Sequence, residues 1–291
     1  MKDFVLYHEK RNMVRPAAWL ILLCLLLALG GCRKDGDIDP VLRFCFLDVG
    51  QGDCTLLRTQ EGDILIDAGP EYAQDRLCAR LRAMGVKRLA LAIFTHLDED
   101  HIGGADGVLQ SFEVGEVWIN GGEETHESAN ALYGAIQENG ASLRIVRAGD
   151  KMDLGGVRLM VLAPMTSTVQ DGNEGSLVIR VNCGKVAALF TGDVGEKMEK
   201  ALVSAYGAAQ LSCQLYKAGH HGSYTSGSTD FLAAVSPEYA VVSSGVGNSF
   251  GHPHGTALER LEAAGATVYR TDLFGDIFFV TDGERLVYEE R

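Results

Sequence analysis

Four side chains able to ligate a divalent metal sit within ten residues, Thr95-His96-Leu97-Asp98-Glu99-Asp100-His101-Ile102-Gly103-Gly104. His96, Asp98, Asp100 and His101 follow directly on Leu89 to Phe94, an apolar run that reads as a buried strand. A metal needs several donors converging within about 2.0 to 2.6 Å of one point. A turn at the end of a strand supplies that by aiming alternate side chains into a common space. The bland alternative is a solvated acidic loop whose histidines are incidental. Two His interleaved with two Asp straight after an apolar strand argue against it.

The elements that must position this loop alternate along the chain. Leu42 to Leu47, Cys54 to Arg58 and Asp63 to Asp67 read as a three-strand meander, with a helix over Tyr72 to Met84 before the strand that delivers the loop. Helix and strand pairs follow at Ala105 to Ser111 with Val117 to Ile119, and at Ser128 to Asn139 with Leu143 to Arg147. Two hairpins come next, Lys151 to Leu162 and Ser176 to Phe190. The spacing then predicts a helix over Glu196 to Tyr206, a strand over Leu211 to Ala218, a helix over Thr229 to Ala234 and a strand over Tyr239 to Ser244. A helix over Ala257 to Ala264 and closing strands at Thr267 to Arg270 and Asp276 to Val280 complete an α/β chain.

Polar clusters close these strands. Asp67 ends Ile64-Leu65-Ile66-Asp67, Asp193 ends Leu189-Phe190-Thr191-Gly192-Asp193, and His220, His221, His252 and His254 end two more. Taken singly, an Asp after a strand is usually a turn former or helix cap. Six of the eight His of the chain at such ends point instead to one shared edge, where ligand sites of α/β sheets collect.

Composition sets the outer bounds. The 291 residues carry 46% hydrophobic side chains, enough for a sizeable core, and a formal net charge of −13, so a polyanion is not drawn in by the global field. Residues 1–31 read as an address: Lys2, Lys10, Arg11 and Arg15 precede the apolar run Ala17 to Leu29, which is short for a membrane-spanning helix. Leu29-Gly30-Gly31-Cys32 resembles a bacterial lipobox, which implies cleavage before Cys32, lipidation of that residue and an extracytoplasmic, membrane-anchored protein. Residues 32–41 then form a tether and residues 42–291 the body. Cys45, Cys54, Cys78, Cys183 and Cys213 lie mostly in apolar runs without C-x-x-C spacing and read as buried thiols, with one disulfide left open.

The order Asp67, His96-x-Asp98-x-Asp100-His101, Asp193 and a late His resembles the metallo-β-lactamase fold, which implies a four-layer αββα sandwich with metals at one edge of its two sheets. More narrowly, Phe46-Leu47-Asp48-Val49-Gly50-Gln51-Gly52-Asp53, Leu65-Ile66-Asp67-Ala68-Gly69-Pro70, the His96 loop, Leu189 to Asp193, Gly219-His220-His221-Gly222-Ser223 and Gly251-His252-Pro253-His254 resemble the extracellular domain of ComEC-type DNA-uptake proteins. The likeness covers Leu42 to Asp282. The chain shows no polytopic channel, so the expectation is a free-standing, lipid-anchored relative.

That resemblance implies roles. His96 and Asp98 would hold one metal, Asp100 and His101 a second together with His254 in preference to His252, and Asp193 would bridge them. Asp67 would orient the His-rich loop. Asp100, His220 and His221 would be catalytic, and Ser223, Asn173, Ser176 and His252 would contact substrate. Asp98, where the broader fold has His, tilts the site toward Mn²⁺, with Zn²⁺ still suitable. Two positions depart from the family pattern, Glu174 in Asn173-Glu174-Gly175-Ser176 and Ser249 in Asn248-Ser249-Phe250-Gly251.

One or two divalent ions beside a phosphoryl group suit phosphodiester hydrolysis. The expectation is therefore a nuclease acting on extracellular DNA, with Arg180, Lys185, Lys217 and Arg270 as a local basic rim. Two other classes stay open: a lactone or thioester hydrolase of the same fold, and a surface protein that binds DNA or a partner without cleaving it.

Overall fold

Alternation of side chains decides how the layers form. The chain opens with the antiparallel strands β1 (Leu42–Phe46), β2 (Thr55–Thr59) and β3 (Asp63–Ile66), then helix α1 (Gln74–Ala83) and β4 (Arg88–Phe94). Phe44, Phe46, Ile64, Ile66, Leu91 and Ile93 face one way, while Cys45, Leu65, Ala92 and Phe94 face the other. Strands apolar on both sides need covering on both sides. The computed structural model describes residues 38–122, 125–166 and 172–290, within a compact unit spanning Ile38–Arg291.

Helices α2 (Glu99–Ile102) and α3 (Ala105–Ser111), strand β5 (Glu113–Ile119), helix α4 (Glu127–Asn139) and β6 (Ser142–Ile145) follow. The hairpins are β7 (Lys151–Leu154) with β8 (Val157–Ala163), and β9 (Val178–Cys183) with β10 (Val186–Phe190). Helix α5 (Glu196–Leu211), β11 (Leu215–Lys217), α6 (Thr229–Val235), β12 (Tyr239–Val242), α7 (Gly255–Ala263) and β13 (Thr267–Arg270) come next. Helix α8 (Thr271–Phe274) and strands β14 (Ile277–Thr281) and β15 (Leu286–Tyr288) close the chain.

The strands form one sheet of eight, β15-β14-β1-β2-β3-β4-β5-β6, and one of seven, β13-β12-β11-β10-β9-β8-β7. Phe44, Phe46, Trp118, Ile179 and Phe190 fill the space between the sheets. Leu77, Leu81, Val108 and Leu132 cover the outer face of the first, and Leu202, Phe231, Leu232 and Leu261 cover the second. This is the expected four-layer αββα sandwich. Pairing is parallel from β3 to β6 and from β10 to β13, so the carboxyl ends of β3 and β4 share an edge, as do those of β10, β11 and β12.

Three details differ from the sequence expectation. A strand is predicted from Leu211, but Leu211 ends α5, which continues past a non-helical Gly207, and only Leu215–Lys217 pair as a strand. Helices α2 and α8, four residues each, are too short to leave a periodic signal. Strand β15 was likewise not foreseen. The five cysteines of the body are buried free thiols, and burial pushes Cys213 up to about 12. Among the described residues no helix is long and apolar enough to cross a membrane. The leader, Cys32 and the tether up to residue 37 lie outside the described residues.

Candidate metal centre

Strand β4 ends at Phe94, and the next residue is held from behind. Asp67, in a left-handed conformation (φ 57°), accepts the Thr95 N–H at 2.8 Å and the Thr95 hydroxyl at 2.9 Å. Its Oδ2 also accepts from Nδ1 of His101 at 2.8 Å. The Gly50 to Asp53 turn packs against the same loop: the Asp53 N–H donates to the Asp100 carbonyl at 3.1 Å, and a Cβ on Gly52 would lie 2.3 Å from that carbonyl oxygen. Only glycine admits so close an approach.

Three imidazoles are fixed by their Nδ1 atoms. His101 donates to Asp67, His96 lies 3.2 Å from the Thr95 hydroxyl, and His221 donates to the Ser243 carbonyl at 3.1 Å. Each ring thereby turns Nε2 toward the site, the arrangement by which an outer partner sets tautomer and direction in metal-binding histidines. Nε2 of His96, His101 and His221 and Oδ1 of Asp53 and Asp193 are buried without hydrogen-bond partners. Asp53 Oδ1 has His221 Nδ1 at 3.1 Å, but buried polar atoms are ordinarily satisfied, and the three Nε2 atoms with Asp193 Oδ1 call for a ligand.

Their geometry is mutual. Ligand atoms of Asp53, His101, Asp193 and His221 lie within 4.8 Å of one another. Asp193 Oδ1 is 3.3 Å from His101 Nε2, while its Oδ2 is 3.5 Å from His221 Nε2 and 3.7 Å from His220 Nε2. Asp100 Oδ2 is 3.1 Å from His221 Nε2, and Asp98 Oδ2 is 3.6 Å from His96 Nε2. The His96 and His101 rings are 4.1 Å apart. Burial alone would push the His101 and His221 imidazoles down, yet Asp193 with Asp67 or Asp53 holds both well above the ordinary histidine value. Burial would raise Asp193, but His221 and His101 hold it well below the carboxylate range. Carboxylates that pull a cation onto Nε2 this strongly attract a divalent ion for the same reason, with release of the proton.

A family model of the metallo-beta-lactamase superfamily matches residues 47–246. The chain belongs to that superfamily. It is 39% identical over 267 residues to "Competence protein ComA" of Neisseria gonorrhoeae, covering 91% of this chain and 36% of the relative. It is 28% identical to "ComE operon protein 3" of Bacillus subtilis, covering 92% and 36%, and 30% identical to "Recombination protein 2" of Haemophilus influenzae, covering 94% and 32%. The chain thus spans about a third of the length of these curated relatives. Among solved structures, CmlA, a diiron β-hydroxylase from Streptomyces venezuelae, superposes with a TM-score of 0.52 at 14% identity, covering 84% of this chain and 55% of that one. The metallo-beta-lactamase fold protein YhfI of Bacillus subtilis gives 0.52 at 10%, covering 79% and 95%. Both likenesses speak to the fold.

Within this superfamily member the expected residues fall into three groups. His96, Asp98, Asp100, His101, Asp193, His220 and His221 surround one space, with Asp67 directly behind it. His252 is next, its ring 5.4 Å from His220 and 6.0 Å from His221. Burial, then the neighbouring histidines, lowers it to about 4. His254 is one ring further, 4.9 Å from His252, and its Nδ1 accepts the Tyr224 N–H at 3.2 Å. His254 is therefore outside the converging set, and His221 is inside it. Ser176 and Ser223 are buried. Ser176 donates to the Asn173 carbonyl at 2.7 Å and accepts the Asp193 N–H at 3.1 Å, so it steadies Asp193. Asn173 Nδ2 lies 3.4 Å from His220 Nε2.

Sequence reasoning gave Asp53 no role in the site and expected Lys217 on an exposed basic rim. Lys217, 3% exposed, places Nζ 2.7 Å from Asp53 Oδ2, while Asp53 Oδ1 faces His221 Nδ1 at 3.1 Å. The signal was an acidic residue between Gly52 and the apolar Cys54, where a solvated turn would gain nothing from burial. The expected basic rim does not form: Lys217 is buried, Arg180 donates to Asn182 and Ser212, Lys185 pairs with Glu284 and Arg270 with Asp272. Glu174 turns from the site to accept the Met198 N–H at 3.0 Å.

Proposed function

We propose that this superfamily hydrolase is a metal-dependent phosphodiesterase of the cell envelope, a nuclease acting on extracellular DNA and tied to the membrane by lipid on Cys32. One observation carries the chemistry: buried Nε2 atoms of His101 and His221 converge with the carboxylate of Asp193, and the buried His96 ring lies 4.1 Å from that of His101. The DNA substrate and an envelope role are supported by the competence and recombination names of the relatives, which are matched over about a third of their length.

In this reading Asp100, His101, His221 and Asp193 hold one ion, Mn²⁺ or Zn²⁺, with His221 in the place expected of His254. His96 and Asp98 hold a second with Asp193. Bound ions of this kind polarise a phosphoryl oxygen and bring the pKa of a water toward neutrality. The chain's own groups do the rest. Asp67 and Asp53 fix the His101 and His221 rings, and the Asp100 carboxylate, a quarter exposed, would take the proton of the attacking water. His220, also a quarter exposed, is the side chain placed to meet the departing oxygen, its Nε2 3.7 Å from Asp193 Oδ2. A second reading, hydrolysis of a small neutral lactone or thioester, draws support from the pairing of Arg180, Lys185 and Arg270 away from the site.

The test is cleavage of end-labelled single- and double-stranded DNA by metal-stripped protein resupplied with Mn²⁺ or Zn²⁺, beside Asp100→Ala and His101→Ala. Metal-dependent cleavage lost in both variants supports the nuclease. Turnover of lactone or nitrocefin-like substrates without DNA cleavage moves the assignment to a carbonyl hydrolase, and DNA affinity that persists in chelator without turnover moves it to a binding protein.

A further inference from the structure

We propose that the cavity beside the metal loop is a nucleobase subsite, in which Phe250 and Tyr72 stack an unpaired base of the strand being cleaved. The proposal rests on the nuclease reading and adds what the site recognises besides phosphate. The cavity, about 600 Å³, is lined by Gln51, Tyr72, Asp98, Asp100, Glu127 and Phe250 among others. Asp98 and Asp100 of the metal loop form one wall, so whatever occupies the cavity sits next to the reacting phosphate.

Two of these residues are large aromatics left bare: Tyr72 is 71% exposed and Phe250 62%. Neither is loosely held. The Tyr72 hydroxyl accepts the Gln51 N–H at 3.0 Å and lies so near Gly50 that a Cβ there would be 2.4 Å away. Phe250 stacks on His252 with centroids 5.7 Å apart and planes 17° apart, and its N–H donates to Asn248 Oδ1 at 3.1 Å. Exposed aromatic faces fixed in advance lose little freedom when a flat ring lies on them, and every base offers such a face.

Charge decides what stacks there. Asp98, Glu99, Asp100 and Glu127 line the cavity beside His126, and among the described residues no Lys or Arg does, so a phosphate would meet like charge once away from the metal centre. A base is neutral, and its amino and ring N–H groups donate to carboxylates. In a duplex those edges and faces are already used, so the base must be unpaired, frayed or turned out of the stack.

The experiment uses metal-loaded protein and a short single strand in which one base at a time is replaced by an abasic analogue. Wild type should lose about 5- to 140-fold in kcat/KM at one position, as stacking energies of this kind imply. Phe250→Ala and Tyr72→Ala should each lose a comparable factor on the intact strand, chiefly in KM, with bound metal per chain unchanged. Neither should lose more when the same base is removed. Variants that cleave every strand as wild type does, or losses from ring and base that simply multiply, overturn the subsite while leaving the nuclease standing. If wild type cleaves no strand with metal bound, the nuclease reading falls. Quenching of 2-aminopurine in the same strand then decides the cavity: quenching lost in Phe250→Ala keeps the base site, and no quenching in wild type removes it.

Discussion

Lys217 shows how closely charge is balanced behind the metal centre. Its ammonium is almost wholly buried, donates to the Ala218 carbonyl at 2.9 Å and pairs with Asp53. A buried ion pair adds little net stability, but removing one partner strands the other charge, at about 3–5 kcal/mol. Lys217→Met should cost that much in urea unfolding of the metal-free protein, and adding Asp53→Asn should recover most of it. A double variant as unstable as the single would show that the lysine acts through packing alone. His220 and His221 raise a different point, since both adopt left-handed backbone, φ 50° and 54°. A side chain there costs roughly 1–2 kcal/mol against glycine, and such strain is kept where function needs it. His220→Gly should therefore leave metal-free stability equal or up to about 1 kcal/mol higher while hydrolysis falls about a hundredfold or more. A clear loss of stability would make His220 structural. That the His96 loop lies at the candidate site was legible because four side chains able to ligate a metal fall within six positions. Whether His221 or His254 joins them was not, because that depends on how far the Gly219 and Gly251 turns reach across the sheet edge.

At the scale of elements, the metal-bearing turns are only as firm as the helices that follow them. Helix α5 starts three residues after Asp193, and its cap position is Gly195, which has no side chain to offer. Glu174 supplies the missing acceptor from across the chain, placing a carboxylate at the helix N-terminus, where the backbone dipole favours it. This accounts for the departure from the family pattern at that position. Glu174→Ala should lower thermal stability by about 1 kcal/mol and weaken metal binding through Asp193 more than it changes the leaving-group step. Unchanged unfolding would remove the capping role. Most strands and longer helices were legible from their own periodicity. The start of β11 was not, because the 2.0- and 3.6-residue patterns overlap across Leu211 to Leu215, and Gly207 inside α5 mimics a helix stop. Asp53 was hidden for a related reason: a Gly-rich turn looks solvated until its contact with Asp100 is known.

Across the whole molecule, the donors come from both halves of the sandwich. Asp53, Asp67 and the His96 to His101 loop belong to the eight-stranded sheet, while Asp193 and His221 close strands of the seven-stranded one. An ion held by both sheets binds the folded chain and finds no such arrangement in the unfolded one, so binding adds directly to stability. At a free concentration a hundred times its dissociation constant the gain is about 2.7 kcal/mol. For a body of this size that is a rise in Tm of roughly 5 to 11 °C. Stripped protein titrated with Mn²⁺ or Zn²⁺ should show this rise in a thermal melt, with the better-held ion acting at lower concentration. His101→Ala should remove most of it, since that ring touches Asp193 across the sheets. His254→Ala should keep it, because the His254 ring lies beyond His252 and its Nδ1 is engaged by the Tyr224 N–H. A melt that responds to His254→Ala and ignores His101→Ala would reverse the assignment and place the ion on the far side of the His252 ring.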